Sequence, residues 1–138
     1  MFINSNFGKS LEILQRGMDV SVLRRQIIAD NMANGDTPNF KRSTLSFESE
    51  LKRALDSEGE RSMEGALTNS RHISFNKPQD WRQVSPRKVL DYLSTTDNNG
   101  NNVDVEVESM NALQNQMNYS LMASAVTNQF NQISIALK

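Results

Sequence analysis

The sequence predicts a mainly α-helical protein in which long N- and C-terminal helices form an antiparallel coiled-coil hairpin, with a largely irregular middle region. Three observations support this fold class. Apolar residues recur at helical spacing over residues 9–34 and again over residues 104–137, and the segment between them is polar with scattered glycines. The length of 138 residues fits a single domain, which we expect to span residues 1–138.

The N-terminal helix is predicted over residues 9–34 and carries two apolar seams. A rotation of 100° per residue places these seams on roughly opposite faces. One seam contains Leu11, Leu14, Met18, Val22, Ala29 and Met32, and the other contains Ile13, Val20, Leu23 and Ile27. A two-helix hairpin covers only one seam, so the other is available to a second partner.

The end of this helix is marked by turn-forming residues. Asn34 and Gly35 are candidates for a left-handed helix C-cap. Because Thr37 precedes Pro38, the backbone of Thr37 favours an extended conformation. Asn39 then suits a turn position that requires positive φ. These residues therefore predict a sharp stop followed by a turn.

The middle of the chain, residues 43–102, has the weakest pattern. Phe47, Leu51 and Leu55 lie four residues apart and predict a short helix over residues 46–56, with Ser46 as its cap. Residues 84–93 fit either a turn of helix or a short strand.

The C-terminal helix is predicted over residues 104–137, after an Asn-rich turn and an extended entry at Val103. Its first face contains Met110, Leu113, Met117, Leu121 and Ile135, and the roughly opposite face contains Met122, Val126, Phe130, Ile133 and Leu137. No charged residue lies between Glu108 and Lys138, and Asn and Gln occupy many of the remaining positions. Such a helix is best explained by burial among other helices, because amides pair there without the desolvation cost of charges.

The composition excludes several classes of protein. Without cysteine, disulfides and thiolate metal sites are impossible. The net charge of −1 provides no general attraction to nucleic acid or anionic lipid. No apolar run approaches the ~18 residues of a membrane helix. Residues 1–6 lack a basic segment followed by an apolar core, so we expect no secretory signal peptide.

Candidate chemical sites are weak. His72, the single histidine, has no catalytic motif around it and is interpreted as a loop residue. Asp104, Glu106 and Glu108 lack the spacing of a calcium loop and are interpreted as charges that favour a helix start. A small basic patch without interleaved aromatic residues contains Lys41, Arg42, Lys52 and Arg53. We therefore expect no catalytic residue, no cofactor, no metal site and no enzymatic activity.

Two segments resemble those of a known family. The motif positions Ala33, Asn34, Thr37, Pro38, Phe40 and Lys41 are similar to the Ala-Asn-x-x-Thr-Pro-Gly-Tyr-Lys motif of flagellar rod and hook proteins, with Asn39 for Gly and Phe40 for Tyr. The stretch 97–108 resembles the Asp-Gly-Asn-Asn-Val-Asp-x-Glu-x-Glu segment of the proximal rod proteins among them, and 115–119 echoes their Asn-Gln-x-x-Tyr. The chain thus resembles the flagellar basal body rod proteins.

This resemblance implies a structural subunit that is exported unfolded by the flagellar type III apparatus and polymerises in the periplasm into a hollow, torque-transmitting rod. Implied partners are copies of itself, other rod proteins and the MS-ring/rod adaptor. We expect one seam of each helix to form the coiled coil and the other to contact neighbouring subunits, the outward seam of the C-terminal helix containing Val126 and Phe130. The alternative is a cytosolic helical binding or chaperone-like module.

Overall fold

The computed structural model describes residues 6–58, 68–69, 71, 79–94 and 98–137. The elements in these ranges are the helices α1 (Asn6–Ala33), α2 (Glu48–Glu58) and α3 (Val105–Ala136), the strands β1 (Ser43–Ser46) and β2 (Arg87–Leu90), and a short 3₁₀ helix over Trp81–Gln83. The two strands pair into a small sheet. His72 and residues 1–5 lie outside the described residues.

The long terminal helices pack against each other, as the periodicity predicts. Contacts pair Phe7 with Phe130, Gly17 with Met122, Ser21 with Asn115, and Asn31 with Glu108. The partner position on α3 falls steadily as the position on α1 rises, so the two helices are antiparallel. The predicted mainly α-helical hairpin is confirmed.

The described residues divide into two compact units. One contains those up to residue 45 and those from residue 88 onward, and therefore includes α1, α3 and most of the small sheet. The other contains the described part of residues 46–87. The assignment of residues 1–138 to one domain remains a prediction.

The predicted start of α3 agrees closely with the structure. The helix begins at Val105, one residue after the predicted start, and Asp104 is its N-cap. The Asp104 carboxylate accepts hydrogen bonds from the backbone N–H groups of Glu106 at 2.9 Å and Val107 at 3.1 Å. These bonds satisfy two donors that have no partner within the helix.

The end of α1 differs from the predicted left-handed cap. Among the described residues, positive φ occurs at Asn39, as predicted, and at Gly100, but not at Gly35. The chain leaves α1 through tight turns instead, with Gly35 N–H donating to the Met32 carbonyl at 3.2 Å. Gly35 is needed for space, because a Cβ there would lie 2.8 Å from the Val105 Cγ2 atom.

Gly35→Ala should therefore destabilise the protein. We expect the free energy of unfolding to fall by about 1 kcal/mol, at the lower end for overpacking, because Val105 is partly exposed and can shift. Urea denaturation followed by circular dichroism measures this change. Adding Val105→Ala to the variant removes the colliding methyl group and should restore most of the loss. Equal stability of Gly35→Ala and the wild type would contradict the spatial role of this glycine.

The second unit contains α2 and the 3₁₀ helix, which pack together. The helix predicted over residues 46–56 begins at Glu48, and Ser46 belongs to β1, so its predicted role as the helix cap is wrong. The buried apolar residues of this unit are Phe47, Ala54, Trp81 and Val84. Residues 84–93 fit either a turn of helix or a short strand in the sequence. The structure has a strand there, β2.

Candidate functional site

The family-like segments meet where the end of α1 approaches the start of α3. We call this region, residues 31–43 together with 91–108, the motif junction. At its centre, Asn101 is fully buried. Its Nδ2 lies 2.9, 2.7 and 2.9 Å from the carbonyl oxygens of Asn34, Gly35 and Thr37. Its Oδ1 accepts the Val103 N–H at 2.7 Å. One amide thus holds the turn after α1 against the segment that enters α3.

A buried carboxylate forms the second part of the junction. Glu108 is 0% exposed, and its Oε1 accepts a hydrogen bond from Arg42 Nε at 2.7 Å. Its Oε2 accepts one from Asn31 Nδ2 at 3.1 Å, and Asn111 Nδ2 lies 3.3 Å from Oε1. Because a buried carboxylate is tolerated only when its oxygens are satisfied, these three side chains make the position of Glu108 possible.

Asn31 also joins α1 to the strand that follows the turn. Its Nδ2 donates to the Ser43 carbonyl at 2.8 Å, and its Oδ1 accepts the Ser43 N–H at 3.0 Å. Both residues are buried. The side chain therefore pairs with the Ser43 backbone much as a neighbouring strand would.

Asn102 connects the same region to the end of β2. Its Oδ1 accepts the Arg42 N–H at 2.6 Å, and its Nδ2 donates to the Asp91 carbonyl at 2.7 Å. The Asp91 side chain in turn accepts hydrogen bonds from the Ser94 hydroxyl and from the backbone N–H groups of Leu93 and Ser94. These bonds lower the pKa of the Asp91 carboxyl, and the bond from the Ser94 hydroxyl has the largest effect.

The two positive-φ residues face each other in the junction. Asn39 has φ of 60° and its N–H donates to the Asn99 carbonyl at 3.1 Å. Gly100 has φ of 78°, and a Cβ there would lie 2.8 Å from Asn39 Oδ1. Lys41 Nζ donates to the Gly100 carbonyl at 2.7 Å. Gly100 thus combines a left-handed conformation with a close approach, and both favour glycine.

Part of the predicted motif lies directly in this contact. Asn34, Thr37 and Lys41 bond to residues 100–101. Ala33 and Pro38 are exposed, and Phe40 is half-buried. The residues that sequence reasoning missed as contributors to the site are Asn31, Arg42, Asn101, Asn102 and Glu108.

A usable pattern for Glu108 existed in the sequence. Glu108, Asn115 and Met122 follow one another at seven-residue intervals, so they share a face of α3. Its place in the sequence by itself indicates only a charge at the helix start. It does lie in the first turn, but it is also buried against α1.

The structure separates the two seams of α3. The large apolar residues of the first seam, here called the outer stripe, are 58–73% exposed; they are Met110, Leu113, Met117, Leu121 and Ile135. The opposite seam faces α1. Met122 lies beside Gly17, and Phe130 stacks edge-to-face on Phe7 with ring centroids 6.4 Å apart.

This orientation bears on one expectation. Contact of the seam containing Val126 and Phe130 with neighbouring subunits remains a prediction, because Phe130 packs on Phe7 within the chain but is still 52% exposed. Val126 and Ile133 are half-buried, whereas Leu137, just beyond α3, is largely exposed. The reason is the buried polar contacts of Glu108 and Asn115, which turn this face of α3 toward α1.

The two seams of α1 differ less clearly in exposure. Val20 and Ile27 are buried, Ile13 is half-buried and Leu23 is exposed. In the opposite seam the residues nearer the junction are exposed, and those nearer the N-terminus are half-buried; the exposed ones are Val22, Ala29 and Met32, and the half-buried ones are Leu11, Leu14 and Met18. The part of α1 nearer the junction therefore also carries exposed apolar residues.

In the described part of the chain, no three acidic or histidine side chains are placed to share a metal ion. A search of the same residues for a helix long and apolar enough to span a membrane found none.

Individual relatives place the chain in a family, although no family model matches the chain. The flagellar basal body rod protein FlgB of Borreliella burgdorferi is 43% identical over 134 residues, covering 97% of this chain and 99% of that protein. The chain belongs to the FlgB family of flagellar basal body rod proteins. FlgB of Borrelia hermsii is 42% identical, covering 96% of this chain and 98% of that protein, and FlgB of Bacillus subtilis is 30% identical, covering 96% of each. The predicted family is confirmed.

Proposed function

We propose that this protein is a structural subunit of the proximal rod of the bacterial flagellar basal body, and that its outer stripe packs against neighbouring subunits. The outer stripe itself is the observation that carries the proposal. Five large apolar side chains are mostly exposed on a helix that has no charged residue between Glu108 and Lys138. Four of them, Met110, Leu113, Met117 and Leu121, recur at three- or four-residue intervals, and an exposed apolar row of this kind is typical of an interaction site.

The hairpin suits a repeating assembly. A helical polymer requires two different contact surfaces on each subunit, one for each neighbour. The outer stripe supplies one surface, and the exposed residues Val22, Ala29 and Met32 of α1 supply another. In this proposal the motif junction keeps α1 and α3 in register. The two contact surfaces therefore keep a fixed position relative to each other. The resulting hollow shaft transmits torque and lets exported proteins pass.

The proposal includes partners and a location. The partners are other copies, other flagellar rod proteins, the MS-ring/rod adaptor and the flagellar type III export apparatus. The protein is exported without a cleaved signal peptide and assembles in the periplasm. The absence of cysteine fits passage through an export channel in the unfolded state. The role is structural, without cofactor, enzymatic activity, nucleic acid or direct lipid binding.

Leu113→Asp with Met117→Asp tests the outer stripe. Both side chains are exposed, so the isolated protein should keep its helicity. Burial of two carboxylates in an apolar contact is costly. We expect the amount of this protein in purified basal bodies to fall at least about tenfold, since each ~1.4 kcal/mol of lost binding is tenfold. Motility should be lost, and secretion of the variant should be unchanged.

A control variant introduces two carboxylates elsewhere, with a change in net charge of −3 instead of −2. Ser49→Asp with Arg53→Asp changes two exposed positions on α2 and should leave incorporation unchanged. Normal swimming by the Leu113→Asp, Met117→Asp strain would overturn the assembly role of the outer stripe. If the wild-type protein remains in the cytosol and is absent from basal bodies, the helical binding or chaperone-like alternative is correct.

A further inference from the structure

The chain contains two Asn-Gly pairs, and both lie in the motif junction: Asn34-Gly35 and Asn99-Gly100. In such a pair the glycine nitrogen can attack the asparagine Cγ atom, because glycine has no Cβ to hinder the approach. The Cγ–Nδ2 bond then breaks, and a cyclic imide forms. The proton that the glycine nitrogen loses is carried through water to the departing nitrogen, which leaves as ammonia. Water finally opens the imide at either carbonyl and yields aspartate or isoaspartate.

The first pair is held in an unreactive arrangement by the turn after α1. Gly35 is buried, and its N–H donates to the Met32 carbonyl at 3.2 Å. The Asn34 Nδ2 atom donates to the Asp30 carbonyl at 2.8 Å, and the Asn34 Oδ1 atom accepts from the Thr37 hydroxyl at 3.3 Å. The attacking nitrogen and the departing nitrogen are therefore both bound, and these hydrogen bonds must break before the imide can form.

The second pair has neither restraint. Asn99 is exposed, and neither its Nδ2 atom nor the Gly100 N–H forms a hydrogen bond with any described residue. The Asn99 Oδ1 atom accepts the Asn101 N–H at 2.9 Å. Negative charge develops on this oxygen when the glycine nitrogen attacks, and a hydrogen-bond donor already aimed at it stabilises that charge. The attacking nitrogen is thus free, the departing nitrogen is open to water, and the oxygen between them is polarised.

We propose that Asn99 is a site of spontaneous deamidation in the folded protein, whereas the fold protects Asn34. The reacting group is the Gly100 nitrogen, and the only co-reactant is water. This modification site goes beyond the structural role proposed above and does not depend on it.

The isoaspartate product should disturb the motif junction. In isoaspartate the main chain passes through the former side-chain carbon, so the backbone gains one carbon atom. The Asn99 carbonyl, which accepts the Asn39 N–H at 3.1 Å, becomes part of a carboxylate outside the main chain. Asn101 follows two positions later, so its alignment with the turn after α1 should be lost.

Peptide mapping by mass spectrometry tests the modification site. The purified protein is incubated in mildly alkaline buffer, in which circular dichroism verifies that it stays folded. We expect Asn99 to convert at least about tenfold faster than Asn34, which corresponds to about 1.4 kcal/mol of activation free energy. In urea the two sites should convert at similar rates, because the contacts of the fold are gone. Asn99→Gln should abolish the fast conversion, since a longer side chain forms the ring far more slowly.

The outcomes that overturn the proposal are clear. Equal rates at the two sites in the folded protein would show that the fold does not protect Asn34. Faster conversion of Asn34, or no conversion of Asn99 in the folded protein, would also overturn it. An isoaspartyl methyltransferase with a labelled methyl donor should mark the product in the wild type and leave Asn99→Gln unmarked.

Hydrogen exchange tests the consequence for the junction. In the isoaspartate fraction, the amide protons of the segment that enters α3 should exchange faster than in the unmodified protein. Asn99→Asp is the matched control, because it adds the same charge without lengthening the backbone and keeps an acceptor for the Asn101 N–H. Equal exchange in the isoaspartate fraction and in Asn99→Asp would overturn the effect on the junction and leave the modification site standing.

Discussion

Glu108→Ala should lower the free energy of unfolding by about 2–4 kcal/mol. The substitution removes the acceptor of both Arg42 Nε and Asn31 Nδ2, and Asn31 is buried away from solvent. The loss stays below that of a fully buried ion pair, because the Arg42 side chain is 23% exposed and keeps some contact with water. Urea denaturation followed by circular dichroism measures the change.

Glu106→Ala is the matched control for this experiment. It makes the same chemical change in the first turn of α3, but Glu106 is exposed. Loss of its interaction with the helix dipole should cost about 0.3–1 kcal/mol. Equal effects of the two substitutions would show that Glu108 acts only as a charge at the helix start, as the sequence alone suggests.

Asn101→Asp should open the motif junction while barely changing side-chain volume. The amide group that lies near the carbonyl oxygens of Asn34, Gly35 and Thr37 would be replaced by an oxygen, which repels them. Burial of an unpaired charge adds to this repulsion. We expect a loss of about 3 kcal/mol or more in the free energy of unfolding.

Hydrogen exchange provides a local measurement of the same prediction. The amide protons of the segment that enters α3 should exchange much faster in Asn101→Asp than in the wild type, since the junction opens. Asn98→Asp makes the same change at an exposed position three residues earlier and should stay within about 0.5 kcal/mol of the wild type. Unchanged exchange in Asn101→Asp would contradict the central role of this side chain.

The buried position of these residues relates the junction to the proposed assembly. It connects the last turn of α1 to the first turn of α3 through side chains from both. Polar contacts depend on direction and distance, so they specify one register more strongly than apolar contacts do. A slip of one residue in the hairpin would rotate the outer stripe by about 100°.

Several features were predictable because they depend on neighbouring residues. The apolar periodicity of 3.6 predicts both long helices, and the extended entry at Val103 with acids beyond it predicts the start of α3 near Asp104. The positive φ of Asn39 follows from its place after Pro38. The family resemblance likewise depends on short stretches of sequence, and it agrees with the relatives.

Other features were not predictable, because they arise from residues far apart in the chain. Gly35 resembles a C-cap glycine in sequence, but its role comes from Val105, seventy positions away. Glu108 is buried only because Arg42 and Asn31 reach it. The spacing of Glu108 with Asn115 and Met122 indicates a shared face of α3, but burial of a carboxylate is decided by its partners, and the sequence does not show that Arg42 and Asn31 are those partners.

The sequence by itself therefore determined the two helices, their two-seam character, the turn after α1 and the family. Only the tertiary structure decided which seam of α3 faces outward. Both seams are apolar, so hydrophobic burial alone does not choose between them. The choice comes from directional hydrogen bonds of Glu108 and Asn115 to α1, which place Phe130 against Phe7 and leave Leu113 and Met117 exposed.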